Sequence, residues 1–184
     1  EEFTKKGEAA IKVNMEAAKA GYDHPKKHYS PAIRPILKTI KSNDKLIFSG
    51  NEATAYGALA AGLQFAAIYP MTPTSNILHV LAPLQDEYEF IYKQPEDEIS
   101  AINMAIGASF AGARAMVATS GGGFCLMTEG LGLAGITETP VVIIEGMRGA
   151  PATGLPTWTE QGDLQFMLHA HQGEFPRIVL APGD

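Results

Sequence analysis

The sequence predicts an α/β protein built on a doubly wound, mostly parallel sheet with helices on both faces. Three observations predict it. From about Lys45 onward, short apolar runs alternate with helix-like stretches about six times, as strand–helix units joined by crossovers do. The runs LIF, VVII and IVLA are apolar without alternation, as strands covered on both sides must be. The chemically unusual residues gather where a strand gives way to a helix, which is where such sheets bind ligands.

Before Lys45 the pattern is different. Lys6 to Gly21 places Ile11, Met15 and Ala18 at i, i+4 and i+7 with Lys and Glu between them, an amphipathic helix closed by Gly21. YDHPKKHYSPAIRP follows, with three prolines and no period, and reads as a linker. Residues 1–21 are thus expected to be the last helix of an upstream domain or an extension, 22–44 a linker, and 45–184 one domain.

Within that domain LIFSG is a strand ending at Gly50, and ATAYGALAAGLQ a helix rich in small residues. Glu52 lies near the helix start, where the dipole favours an acid. FAAIYP, FIYKQ, RAMVAT, PVVIIEGM and RIVLAP are the further strands. NILHVLAPLQDEY, EISAINMAIGASFAG, FCLMTEGLGLAGI and LQFMLHAH are the helices between them. No covering helix follows RIVLAP, so the domain is expected to continue past residue 184.

Charge narrows the function classes. Residues 1–45 carry ten Lys and Arg against six Asp and Glu, and residues 46–184 carry four against fourteen. An acidic body argues against the nucleic-acid backbone as its ligand. No apolar run reaches the length of a membrane span and the first residues do not read as a signal peptide, so neither nucleic acid nor membrane is an expected partner and a cytoplasmic setting is. The single cysteine, Cys125, allows no internal disulfide and supplies no metal-ligand cluster, so no metal is expected on this chain. The body's permanent cations are Lys93, Arg114, Arg148 and Arg177, and an anionic ligand must use one of them, backbone N–H groups or a partner chain.

Four junctions stand out. In YPMTPTS, Pro73 suits a first helical turn, and Thr72, Thr74 and Ser75 are able to cap it. The alternative is that one hydroxyl, that of Thr72, is held at a ligand carbonyl or carboxylate. In QPEDEIS the acids Glu96, Asp97 and Glu98 suit a helix start. Glu98 precedes the face formed by Ala101, Ile102, Ala105 and Ala108, and is the acid best placed to turn inward. TSGGGF joins a strand to a helix but lacks the spacing and lysine of a phosphate loop; its glycines suit close approach of a ring or another chain. Cys125 just after it reads as a small packed residue. The loop EGMRGAPATGLPTWTEQGD is long for a compact domain, and Arg148 within it suits a carboxylate clamp or a structural ion pair. His169 and His171 read as surface or packing residues, not a metal pair.

Together YPMTPTS, PEDEISAINMAIGASFAGARAM, ATSGGGFCLMTEGLGLAGITETPVV and RGAPATGLPTWTEQGDL resemble the alpha subunit of 2-oxoacid:ferredoxin oxidoreductases, the pyruvate and 2-oxoglutarate ferredoxin oxidoreductase family. The match lies in the pyrimidine-type domain of its thiamin-diphosphate-binding fold and covers roughly Asn51 to Pro182. The residues before it resemble the end of the gamma-type domain fused ahead of the alpha domain in some members. The resemblance implies oxidative decarboxylation of a 2-oxoacid to an acyl-coenzyme A and CO₂, with electrons passed to ferredoxin. It implies an active site shared in a heterodimer with a beta subunit that holds Mg²⁺, the diphosphate end of thiamin diphosphate and an iron–sulfur cluster. The isolated piece is then expected to be inactive.

Carried over position by position, the resemblance makes Glu98 the glutamate that holds a proton at the cofactor's aminopyrimidine ring. Ser120, Gly121, Gly122 and Phe124 border the cofactor. Tyr69 and Thr72 contact the substrate, and Arg148 pairs with its carboxylate, so that Glu98, Thr72 and Arg148 form the catalytic set. Gly122 stands where the family has proline, Cys125 where it has serine, and Met71 and Thr74 where it has isoleucine and serine. Two alternatives are the pyrimidine domain of a different thiamin-diphosphate enzyme, of dehydrogenase or transketolase type, and a non-catalytic assembly module of the same fold. YPMTPTS and TEQGDL argue against the first, and the intact Glu98, Thr72 and Arg148 against the second.

Overall fold

The structure, a computed structural model, describes residues 7–29 and 45–183. They fall into two compact units that divide after Lys45. In the first unit a single helix, α1, spans Glu8–His28. It runs through Gly21, the expected stop, because glycine is merely permissive there and no partner group caps the chain at that point. Pro25 also lies inside it, so the expected linker is helical over residues 22–28. Residues 1–6 and 30–44, the rest of the expected extension and linker, lie outside the described residues. No residue of α1 is buried, and Met15 of its apolar stripe is exposed.

In the second unit four strands form one parallel sheet in the order β2-β1-β3-β4. They are β1 (Phe65–Ala67), β2 (Ile91–Lys93), β3 (Ala115–Thr119) and β4 (Val142–Glu145). Between them run α2 (Gly50–Ala60), α3 (Ser75–Leu81) with a 3₁₀ turn at Ala82–Leu84, α4 (Glu98–Phe110) and α5 (Gly121–Ile136); α6 (Leu164–His169) follows β4. Each face of the sheet has its own core. Ala67, Ala115 and Val117 face a cluster with Ile102 and Ala105 of α4 and Phe124 and Met127 of α5. The alternate residues Ala66, Ile68, Met116 and Ala118 face Ala55 of α2 and Ile77, Leu78 and Leu81 of α3. Strand side chains alternate between faces, so a run apolar at every position supplies both cores. The expected doubly wound parallel sheet with helices on both faces is therefore the fold.

Topology also places the crevice. The chain steps from β1 outward to β2, then returns to add β3 and β4 on the other side. The carboxyl ends of β1 and β3 therefore diverge into helices on opposite faces, leaving an opening between them.

Two expected strands are not strands. Leu46, Ile47 and Phe48 have no ladder partner among the described residues, and Ile47 is almost wholly exposed. Ser49 beyond them instead caps α2 in a reciprocal capping box with Glu52, which also holds the Glu52 carboxyl below its usual range through hydrogen bonds from Ser49. Ile178 and Leu180 of the expected last strand are likewise exposed and unladdered. Both segments are apolar enough to be strands, but a strand exists only where a neighbour completes its hydrogen bonds. The glycine turn differs as well. Gly121, Gly122 and Gly123 are the first turn of α5 and not a loop preceding it. The last expected helix ends at His169, leaving His171 outside it with a positive φ.

Candidate functional site

The four junctions meet at the carboxyl ends of β1, β3 and β4. YPMTPTS leaves β1 through a cis Thr72–Pro73 peptide. Its expected capping role is not what the structure shows: Thr74 precedes α3 but makes no side-chain cap. Its hydroxyl donates backward to the Met71 carbonyl at 2.9 Å, and its N–H donates to the same oxygen at 2.9 Å. Two donors on one carbonyl turn the chain tightly, and Thr74 is 2% exposed as a result. The neighbouring Thr72 keeps its side chain at the surface, and Tyr69 is half-buried.

Met71 and β3 meet across the switch point, where the Thr119 hydroxyl lies 3.9 Å from Met71 Sδ. The loop after β4 closes on the same place. Gly146 donates its N–H to the Thr119 carbonyl at 2.9 Å. A Cβ on Gly146 would lie 2.6 Å from Thr74 Cγ2 and 3.0 Å from Pro73 Cγ, so only glycine lets the two junctions approach this closely.

Glu98 opens α4 and is 4% exposed. Its neighbour Asp97 takes the capping position, accepting from the Ser100 N–H at 2.7 Å, and hydrogen bonds from Ser100 hold the Asp97 carboxyl below its usual range. Asp97 thus does the capping and frees Glu98 to turn inward. It packs on the first turn of α5, where a Cβ on Gly123 would lie 2.8 Å from both Glu98 Cγ and Oε1. Glu98 Oε1 is buried with no hydrogen-bond partner. Ser120, fully buried at the head of α5, has a hydroxyl in the same condition and makes no cap. A buried polar atom without a partner is costly, so both atoms suit a ligand that brings its own donors and acceptors.

Arg148 is 8% exposed and donates from Nη1 to the Thr72 carbonyl at 2.9 Å. Among the described residues no carboxylate lies within ion-pair distance of it. The structural ion pair considered from the sequence is thus not formed. A buried guanidinium with spare donors next to Thr72 is suited to receive an anionic group.

Phe124 does not join this group. Its ring is 4% exposed and stacks edge-on against Phe166 at 5.0 Å, on the core face of α5 that also carries Met127. Cys125, read as packed, is exposed one position further round the helix. Gly122 faces the loop, its Cβ position 3.7 Å from the Ala152 carbonyl. Three residues of this region escaped the sequence reading. Thr119 was hidden inside the strand run, Glu145 is its counterpart at the end of β4, and Asp163 sits in TEQGDL. Each lies within a quoted motif, but only the fold turns their side chains toward the junctions. The apolar hollow bounded by Ala58, Leu63, Met116 and Val142 lies at the amino end of β3, and none of the four junctions lines it.

Residues 56–184 match the family model for pyruvate flavodoxin/ferredoxin oxidoreductase, thiamine diP-bdg. The chain is 51% identical over 138 residues to the 2-oxoglutarate synthase subunit KorA of Archaeoglobus fulgidus, covering 75% of this chain and 40% of that protein. It is 43% identical over 185 residues to the 2-oxoacid:ferredoxin oxidoreductase 1 subunit alpha of Sulfurisphaera tokodaii, covering 94% of this chain and 29% of the relative. Among solved structures it resembles the 2-oxoglutarate:ferredoxin oxidoreductase of Magnetococcus marinus, with 2-oxoglutarate, coenzyme A and succinyl-CoA bound. The TM-score is 0.75 at 38% identity, covering 89% of this chain and 28% of that one. The chain thus spans well under half the length of these relatives.

Proposed function

The chain belongs to the pyruvate flavodoxin/ferredoxin oxidoreductase family, in its thiamine-diphosphate-binding part, and we propose that it forms the pyrimidine side of a 2-oxoacid:ferredoxin oxidoreductase active site. The reaction is oxidative decarboxylation of a 2-oxoacid to an acyl-coenzyme A and CO₂, with the two electrons passed to ferredoxin. The observation that carries this reading is Glu98, a carboxylate buried at a helix start with Oε1 unpartnered. That atom needs a donor from outside the chain, and a protonated ring nitrogen of an aminopyrimidine is a donor of the right kind.

Thiamin diphosphate, when bound, supplies the carbon nucleophile and electron sink that a 2-oxoacid decarboxylation needs. The residues present fit its pyrimidine end. Glu98 holds a proton at the ring nitrogen, the Ser120 hydroxyl offers a second polar contact, and Gly121 and Gly122 keep the start of α5 free of side chains. The guanidinium of Arg148 binds the substrate carboxylate, the hydroxyl of Thr72 orients it, and the half-buried Tyr69 borders it. Phe124 supports α5 from the core.

A beta subunit completes the site in this proposal, holding the diphosphate with Mg²⁺ and an iron–sulfur cluster, in a cytoplasmic enzyme. The absence among the body's cations of a cluster able to neutralise a diphosphate supports that division. Two of the three proteins described above are named for 2-oxoglutarate, which makes it the first substrate to assay, beside pyruvate. No described helix is long and apolar enough to cross a membrane.

The test is viologen reduction dependent on 2-oxoacid and coenzyme A, by the full-length subunit assembled with its partner. Glu98→Gln is expected to lower the rate by about 10²–10⁴, the usual range for positioned proton transfer. An unchanged rate in that variant rejects the reading.

A further inference from the structure

Helices α4 and α5 pack on one face of the sheet, and their outward sides are apolar where a solvent-facing helix is ordinarily charged. The two helices are in close contact: a Cβ on Gly130 of α5 would lie 2.7 Å from Ile102 Cγ2 of α4. Each turns one stripe away from the sheet. Ile99, Met104 and Phe110 form it on α4, and Leu126, Leu133 and Ile136 form it on α5. All six are exposed, Phe110 to 78% and Ile136 to 83%. With about 200 Å² for each such side chain when wholly exposed, their exposed fractions amount to about 700 Å². That approaches the roughly 800 Å² that a standard protein–protein interface buries on each partner. It exceeds the largest apolar patch of a typical monomer.

Little on this face resists the loss of water. The body of the chain carries fourteen Asp and Glu, yet the only charged residues on the two helices are the buried Glu98 and Glu129. Polar side chains there bond to their own helix. Asn103 Nδ2 donates to the Ile99 carbonyl at 2.8 Å, and Thr128 Oγ1 to the Cys125 carbonyl at 3.0 Å. Groups already satisfied in this way lose no partner when the face is covered. The face also begins at the candidate site. Ile99 follows Glu98 at the head of α4, and Leu126 stands one turn beyond Gly121 to Gly123 at the head of α5. A chain seated on these helices therefore reaches the place where Glu98 Oε1 and the Ser120 hydroxyl lack partners.

We propose that the outward face of α4 and α5 is the docking surface for the subunit that holds the diphosphate end of thiamin diphosphate, a partner whose facing side is apolar. The identity of that partner rests on the function proposed above. Pyrimidine and diphosphate are two ends of one small cofactor, so the subunit carrying the diphosphate must lie within a cofactor's length of Glu98. The surface that starts beside Glu98 and has the size of an interface is the one it would cover. A second copy of this chain brings the same cation-poor body, with Lys93, Arg114, Arg148 and Arg177, and adds nothing for a diphosphate that the first copy lacks.

Met104→Glu combined with Leu133→Glu puts a charge on each helix of the face, and neither residue belongs to the candidate site. Binding is read by titrating the full-length subunit onto its immobilised partner with thiamin diphosphate and Mg²⁺ present. The double variant is expected to bind about a hundredfold more weakly, the scale of charges buried without partners. At saturating partner its rate per complex should equal that of the wild type, because the reacting groups are untouched. Phe110→Ser combined with Ile136→Ser is the milder pair and should weaken binding about tenfold, through lost apolar burial. Circular dichroism and urea midpoints check that both pairs are folded. Tyr88→Glu, at an exposed aromatic outside both helices, should bind as the wild type does. Unchanged affinity in both folded pairs overturns the docking surface. Sedimentation of the chain without its partner tests the other occupant. A wild type that self-associates, with both pairs dissociated yet normal in affinity for the partner, gives the face to a second copy and also overturns the proposal. If Glu98→Gln keeps full activity while both pairs lose affinity, the functional reading fails and the docking surface stands. If Glu98→Gln loses activity while both pairs bind normally, the surface fails and the functional reading stands.

Discussion

Arg148 and Thr72, 76 positions apart in the chain, are joined by a hydrogen bond from Nη1 to the Thr72 carbonyl at 2.9 Å. The bond ties the loop after β4 to the junction after β1, and it places a buried cation against the backbone of the exposed Thr72. One guanidinium thus both fixes the backbone that presents Thr72 and keeps its remaining donors for an anion.

Arg148→Lys should separate these two tasks. An ammonium cannot bind a carbonyl and a carboxylate in the planar geometry of the guanidinium fork. KM for the 2-oxoacid is expected to rise about tenfold or more, equivalent to about 1.4 kcal/mol. Steady-state kinetics of the assembled enzyme measure this. A KM at the wild-type value removes Arg148 from the substrate site.

Gly123→Ala should disturb Glu98 without touching its carboxyl group chemically. The added Cβ would press on Glu98 Cγ and Oε1, each 2.8 Å away, and on the Thr119 hydroxyl. Overpacking of this kind costs about 1–3 kcal/mol, read by urea denaturation, and activity should fall with it. Gly122→Ala, whose Cβ meets only the Ala152 carbonyl at 3.7 Å, should keep the wild-type urea midpoint and is the control for stability.

Thr74 makes two separable contributions. Thr74→Val keeps both branches of the side chain but loses the hydroxyl bond to Met71, and should cost about 0.5–1.5 kcal/mol. Thr74→Ser keeps the bond and loses the methyl packed on Gly146, with a cost of about 0.8 kcal/mol for the missing carbon. A neutral Thr74→Val would mean that the Met71 carbonyl is satisfied by the Thr74 N–H alone.

Stability should fall as pH rises from about 4.5 to about 8. Burial raises the Glu145 carboxyl to about 8 in the folded chain from its ordinary value of 4.5. Between those values the folded state holds a proton that the unfolded state has released, so each step up in pH favours unfolding. The contribution is complete below about 4.5 and lost above about 8. Urea midpoints across that range, compared between wild type and Glu145→Gln, measure it. The difference between the two should shrink toward low pH. A difference constant with pH would show that Glu145 titrates normally.

The sequence by itself determined the parallel sheet, its two covered faces and the four junctions that carry chemistry. Those features are local: FAAI and AMVA are apolar at every position because each strand feeds two cores, and Glu98 and Arg148 stand out within short quoted stretches. The tertiary structure decided what depends on neighbours. LIF and IVLA are as apolar as any strand here, yet neither has a ladder partner, and backbone hydrogen bonds rather than composition make a strand. Thr74 carries a capping side chain, but its hydroxyl donates to the Met71 carbonyl folded back beneath it and makes no cap. Phe124 follows the glycines in sequence, but the turn of α5 rotates it into the core beside Phe166. Arg148 reaches the Thr72 carbonyl only because the loop after β4 returns over the end of β1, and proximity between distant segments leaves no mark in residue spacing.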